Sequence, residues 1–184
     1  LSLRRQRQMC IRDSLKVAWN LTRMHSLKPK DSYKEFAHQI ADAIPGSGCD
    51  NQRGGWYDMM ERTLKEGEEN HRLVWHDRKA WWQQEQGILA YYIMAGVYND
   101  KPEYLNFARE GTAFYNGWFL DYEEGGIYFN VLANGQPYAL GTERGKGSHS
   151  MAGYHSFELC YLAAIYTNLL ICLLYTSDAA DEGL

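Results

Sequence analysis

Apolar residues recur at helical spacing along most of this chain, and the points where that spacing breaks divide it into elements. Leu15, Ala18, Trp19, Leu21 and Thr22 mark the tail of a first helix through His25. Lys28-Pro29-Lys30 makes a connection. Asp31 then reads as an N-cap, and Tyr33, Phe36, Ala37, Ile40 and Ala41 give one face of a second helix ending at Pro45-Gly46. A third helix, with Asp77 as its cap, carries Trp81, Ile88, Leu89, Tyr92 and Val97 towards the core and runs to about Tyr98. Lys101-Pro102-Glu103 opens a fourth, with proline where a missing N–H is tolerated. Its expected buried stripe is Tyr104, Phe107, Ala108, Thr112, Tyr115 and Phe119. The pattern predicts a last helix from about Met151 to Leu170.

Between the fourth and last helices the period changes. Ile127, Phe129 and Val131 alternate with Tyr128 and Asn130, and Asn134-Gly135 is a two-residue turn signal, so a short β-hairpin is expected near residues 126–138. A glycine-rich polar loop follows, from Gly141 to Ser150. Glu61 to Asn70 is charged and reads as solvated. One phrase occurs twice: Gly54-Gly55-Trp56-Tyr57 and Gly125-Gly126-Ile127-Tyr128 stand 71 residues apart, each between two helices. That is the pattern of stacked antiparallel helical hairpins with their loops gathered on one face. The first copy reads as an extended turn with exposed aromatic side chains.

Composition narrows the class. With 184 residues, 45% hydrophobic and 14% aromatic, the chain is expected to bury one packed core. No apolar stretch approaches the roughly 18–20 residues of a membrane span, and the expectation is a soluble cytoplasmic protein. The two ends differ from the middle. Residues 1–14 carry Arg4, Arg5, Arg7 and Arg12 against Asp13, and residues 172–184 carry Asp178, Asp181 and Glu182 without a cation. Both resemble translated sequencing-adapter read-through, so 15–171 is taken as the domain and the ends as non-native. Their charges cancel, and the middle keeps the net −4 of the whole, an acidic balance that does not suit nucleic acid. Within the middle only Cys49 and Cys160 remain, without CxxC spacing, which indicates neither a disulfide framework nor a zinc site.

Candidate chemistry collects in two stretches. In the third helix Trp82 and Gln86 share one face and Trp81 and Glu85 another. Neighbouring residues point about 100° apart, so Trp81 is expected towards the core and Trp82 towards a pocket. An aromatic wall beside hydrogen-bonding groups suits a sugar ring. His155 is expected near the start of the last helix, where the helix dipole disfavours the imidazolium; it is either a general base or a hydrogen-bonded structural histidine. His155 and Glu158 also have the i,i+3 spacing of two metal ligands, but no partner motif accompanies them. Arg53, Asp58, Glu143, Arg144 and Lys146 read as solvated loop charges.

Lys79-Ala80-Trp81-Trp82-Gln83-Gln84-Glu85-Gln86, with Gly153-Tyr154-His155-Ser156 downstream and Gly54-Gly55-Trp56-Tyr57 upstream, resembles the N-acylglucosamine 2-epimerase family, which includes cellobiose 2-epimerases and aldose-ketose isomerases. The resemblance implies an all-α fold, part of an (α/α)6 barrel, with this chain as its C-terminal part. It implies a small-molecule sugar as partner, neither nucleic acid nor membrane, and no metal or redox cofactor. One histidine removes the proton beside the open-chain carbonyl to give a cis-enediolate, and a second returns it. His155 matches the histidine of the family's Tyr-His motif as catalytic residue; Trp82, Trp81, Glu85, Gln86, Tyr154 and Glu158 fall at substrate-binding positions.

Three departures accompany the resemblance. The second histidine would fall at Arg12-Asp13, so the chain alone is expected to be inactive. The acidic position after the tandem tryptophans is Gln86, with Glu85 one residue early, and Glu158 stands where many members have arginine. A partial barrel is also expected to expose apolar surface. The rivals are a glycoside hydrolase on the same barrel, using Asp58, Glu61 or Glu85, and a non-catalytic sugar-binding protein.

Overall fold

The computed structural model describes residues 8–98, 100–147, 151 and 153–181, and side chains within these from residue 13 to residue 172. Ser148 to Ser150 and Ala152, which belong to the predicted polar loop and last helix, lie outside the described residues, as do 1–7 and 182–184 of the two ends. Among the described residues the order is β1 (Gln8–Cys10), α1 (Ile11–Leu27), α2 (Asp31–Ala43), β2 (Met59–Glu61), β3 (Arg78–Ala80), α3 (Trp81–Val97), α4 (Glu103–Trp118), β4 (Asn130–Leu132) and α5 (Tyr154–Asp181).

The helices pack as an all-α partial (α/α)6 barrel, and α3 is its centre. It lies against α1, α4 and α5, while α2 packs on α1. Leu15, Ala18, Trp19 and Thr22 of α1 are buried, which is the spacing that faces a neighbouring helix. Fourteen of the 17 residues of α3 are buried, including the polar run Gln83 to Gln86. Burial of amides requires partners, and the loop before β2 supplies those of Gln83 and Gln84. Gln84 accepts from the Trp56 N–H at 2.8 Å and donates to the Trp56 carbonyl at 2.8 Å. Gln83 donates to the carbonyls of Tyr57 and Asp58.

Two antiparallel ladders hold the loops. β1 pairs with β2, Met9 opposite Met60, and β3 pairs with β4, Lys79 opposite Val131. The predicted hairpin turn is present: Gly135 N–H donates to the Leu132 carbonyl and Leu132 N–H to the Gln136 carbonyl, both at 2.9 Å. Several features differ from expectation. The third helix starts at Trp81 with Ala80 at its N-cap position, because Arg78–Ala80 is drawn out as β3; Asp77 instead accepts from the Ala133 N–H at 3.3 Å. Asp31 is the first residue of α2, with Lys30 at the cap position. Helix α5 begins at Tyr154 and continues past Leu170 to Asp181. Trp56 is buried, not exposed, because glycines leave room for its ring: a Cβ at Gly87 of α3 or Gly111 of α4 would stand 2.6 or 2.3 Å from the indole.

The repeated phrase is a repeated structure. Asp50 and Asp121 each accept two backbone N–H groups from their own turn, those of Gln52 and Arg53 at 3.1 Å and those of Glu123 and Glu124 at 3.0 Å. Each also receives a lysine, Lys79 at 2.8 Å and Lys146 at 2.7 Å, and that ammonium donates again to the carbonyl of Gly54 or Gly125. Apolar surface remains on α5, where Phe157, Tyr161, Ile165 and Leu169 lie exposed at four-residue intervals.

Candidate functional site

The junction of β3 with α3 builds one wall of a cavity. Pairing of β3 with β4 brings Phe129 alongside, and its carbonyl accepts the Trp81 N–H at 3.0 Å, fixing the first turn of α3. Trp81 is buried with its ring edge-on to Phe129 at 6.1 Å, and Trp82, one residue on, is half-buried. The first turn of α5 supplies the facing wall, Tyr154 and His155. Asp13 and Lys16 of α1, with Glu143, complete a cavity of about 400 Å³. A recess of about 160 Å³ adjoins it across Trp82, Phe129 and Glu143 and is bordered by Asp58 and Arg78.

His155 lies close to both tryptophans. Its ring centroid is 5.5 Å from Trp81, edge-on, and 5.9 Å from Trp82, tilted by 32°. Tyr154 leans on the same ring at 3.8 Å. Behind it, Gln86 Nε2 lies 3.3 Å from His155 Nδ1 and donates to Glu158 Oε2 at 3.1 Å, while Gln86 Oε1 accepts from Trp19 Nε1 at 3.1 Å. Lys16 Nζ is 3.9 Å from the same Glu158 oxygen. The residues matched through the resemblance thus meet, with one exception. Trp81, Trp82, Tyr154 and His155 line the cavity, and Gln86 and Glu158 stand behind His155.

Glu85 is the exception. One helical step from Gln86, it turns away from His155 and borders an apolar groove of about 540 Å³ between α3, α4 and α5. Its Oε1 accepts from Tyr115 at 2.7 Å and from Ser156 at 2.6 Å, and Oε2 is buried without a partner among the described residues. Burial pushes the Glu85 carboxyl up to about 7, against the pull of the Ser156 and Tyr115 hydroxyls. The carboxylates weighed for glycosidic cleavage sit apart in their bonding: Asp58 is held by Arg78, Nε to Oδ2 at 3.0 Å, Glu61 by Lys65 at 3.5 Å, and Glu85 by its two hydroxyls.

Several site residues escaped the sequence reading. Trp19 and Lys16 are spaced i,i+3 on α1, a pattern that marks a shared face but not its partner 67 residues on. Phe129 reads as an alternating strand residue and Glu143 as a solvated charge, yet both line the cavity. Asp58 and Lys146, also read as solvated, are engaged with Arg78 and Asp121.

No family model and no curated sequence relative matches the chain. Solved structures do match its fold. A D-mannose isomerase superposes with a TM-score of 0.70 at 18% identity, covering 85% of this chain and 37% of that one. A cellobiose 2-epimerase from Bacillus thermoamylovorans B4167 gives 0.69 at 19% identity, with 86% and 37% covered. A family 76 glycoside hydrolase from a bovine Bacteroides thetaiotaomicron strain gives 0.60 at 16% identity, with 89% and 33% covered. The chain therefore spans about a third of the length of these structures, and the likeness is one of fold, the helical barrel. Among the described residues no helix is long and apolar enough to cross a membrane.

Proposed function

We propose that the barrel to which this chain corresponds is a carbohydrate 2-epimerase or aldose-ketose isomerase, working by histidine-mediated proton transfer through a cis-enediolate. One observation carries the reading: an imidazole, His155, lies beside two indoles, at 5.5 and 5.9 Å, on the wall of a cavity of about 400 Å³. Aromatic faces bind the C–H faces of a sugar, and a ring nitrogen beside the bound carbonyl serves acid-base exchange at the adjacent carbon. In that step the C2–H bond breaks, its electrons form the C1=C2 bond, and the carbonyl π electrons move to oxygen, which needs a base at carbon and a hydrogen-bond donor at oxygen. Return of the proton to C2 from the other face epimerises; return to C1 isomerises. Trp82 and Tyr154 are assigned to sugar binding and His155 to the reacting centre.

The test is deuterium uptake from D2O at C2 of D-mannose, cellobiose and a wider aldose panel, followed by NMR. It is run on the 184-residue chain and on a full-length barrel carrying it. Uptake that disappears in His155→Asn supports the reading. No uptake in either form sinks it, and release of reducing ends from an α-mannan would point instead to glycoside hydrolysis, in keeping with the family 76 likeness.

A further inference from the structure

With His155 at carbon, the enediolate step still needs a donor at oxygen, and α1 brings one into the cavity. Lys16 shares a face of that helix with Trp19, three positions on, and the bond from Trp19 Nε1 to Gln86 Oε1 at 3.1 Å fixes which way the face turns. Lys16 thereby lines the cavity of about 400 Å³ together with Trp81, Trp82, Tyr154 and His155, and it is the one lysine or arginine among the described residues that do so. Its ammonium lies 5.9 Å from the Tyr154 ring centroid, and that ring is 3.8 Å from His155. An ammonium has three hydrogens to give and no lone pair. Lys16 gives none of them to a described residue: its ion-pair partner, Glu158 Oε2, is 3.9 Å away, beyond hydrogen-bond reach, and that oxygen accepts from Gln86 Nε2 at 3.1 Å. Glu158 thus steadies the charge and leaves its hydrogens to a ligand. Arg78, in the adjoining recess, is committed by contrast, to Asp58 Oδ2 at 3.0 Å and to Glu143 at 3.6 Å.

We infer that Lys16 is a further catalytic residue, donating a hydrogen bond to the sugar oxygen on which negative charge grows as His155 takes the C2 proton. The inference rests on the sugar-isomerising reading of the cavity. As the C2–H electrons form the C1=C2 bond and the carbonyl π electrons move to O1, the proton passes to His155 and the bond from Lys16 to O1 becomes charge-assisted on both sides. The lysine hydrogen stays on nitrogen, and the charge on O1 collapses when a proton returns to carbon. A charge-assisted bond is about twice as strong as a neutral one, so Lys16 favours the enediolate over the sugar. The two roles are not interchangeable, because the imidazole has a lone pair to take a proton and the ammonium has none.

The experiment has a binding arm and a rate arm. In the first, calorimetry on the 184-residue chain compares D-mannonohydroxamate, which mimics the enediolate oxygens, with D-mannitol, which has the hydroxyls alone. The parent should bind the hydroxamate more tightly, and Lys16→Met should narrow that gap by about tenfold or more, with Lys16→Arg recovering part of it. No gap in the parent, or a gap that Lys16→Met leaves unchanged, overturns the inference. In the second, C2 deuterium uptake is followed in whichever form of the barrel shows it. Lys16→Met should slow turnover by about a hundredfold or more, and methylamine added to Lys16→Ala should restore part of the rate. If Lys16→Met does not fold, Lys16→Gln carries both comparisons. Uptake at the parent rate in the variant overturns the inference and leaves the reading of the cavity. No uptake in the parent, with a hydroxamate gap that depends on Lys16, removes that reading and keeps the Lys16 contact to oxygen.

Discussion

In the loop after α2 the Asp50 carboxylate and the Lys79 ammonium are both out of water, whereas in the loop after α4 Asp121 and Lys146 make the same contacts nearer the surface. The Lys79 side chain is 0% exposed and that of Lys146 24%. Each lysine also lies over the tyrosine of its own turn, at 5.2 Å for Tyr57 and 5.8 Å for Tyr128. What differs is the surroundings, since Lys79 has the Phe114 ring 4.0 Å from its ammonium and the Gln84 amide next to its loop. The same bonds therefore have different consequences. In the first loop the lysine is what makes a buried carboxylate tolerable; in the second, water shares that work.

The largest effect should come from Lys79→Met. Removing one partner of a buried pair leaves the other charge uncompensated, which typically destabilises by about 3–5 kcal/mol. Urea denaturation of the variant should show a loss of that order, and a loss below about 1 kcal/mol would mean that Asp50 is solvated and the two loops are energetically alike.

Next come the glycines. Gly55 has φ +76° and Gly126 has φ +91°, so alanine at either enters a backbone region that L-residues avoid, at roughly 1–2 kcal/mol. Only Gly55 is also crowded: its added Cβ would stand 2.7 Å from Gln84 Oε1 and from Phe114, against 3.6 Å to Lys146 at Gly126. Overpacking adds about 1–3 kcal/mol, so Gly55→Ala should fall further in denaturation midpoint than Gly126→Ala. Equal losses would show that backbone conformation alone sets both positions.

A third measurement turns on pH. Burial would raise the Asp50 carboxyl, but Lys79 and the N–H groups of Gln52 and Arg53 outweigh it and hold it below its ordinary value. Glu85 is buried with hydroxyls and, among the described residues, no cation, and its carboxyl rises to about 7. Its folded form thus keeps a proton that the unfolded chain, at about 4.3, has already lost, and stability falls as pH rises from about 4 towards 7. Glu85→Gln should flatten that fall and melt higher than the parent at pH 8. A parent whose Tm does not decline over this interval would show that burial without a cation is no penalty here, against the contrast with Asp50.

Much of this frame is legible in the sequence, and the omissions have causes. Helix periods give α1 to α5 and the Gly-Gly phrase gives the repeat, because both are local signals. The aspartate and lysine of each loop are not, since they lie 29 and 25 residues apart and meet only through tertiary structure. Trp56 was expected at the surface because glycine pairs usually sit there; its actual slot is made by Gly87 and Gly111, glycines inside two helices. At the candidate site the tandem tryptophans and His155 are readable as motifs. The link from Trp19 through Gln86 to His155 spans three helices, and no local pattern encodes it.

The smallest effect belongs to Lys146→Met, and its salt dependence separates the loops most cleanly. Lys146 and two backbone N–H groups hold the Asp121 carboxyl well below the usual carboxylate range, so the contact is made at neutral pH. Exposed charges are screened over about 3 Å at 1 M salt and about 30 Å at 0.01 M. The Tm difference between parent and Lys146→Met should therefore be small at low salt and vanish at 1 M NaCl, whereas that of Lys79→Met should persist, because ions do not enter the space between Lys79 and Phe114. A Lys146→Met difference that survives high salt would mean that its stem packs on Tyr128 and Gly126 as a structural element, and that depth is not what distinguishes the two copies.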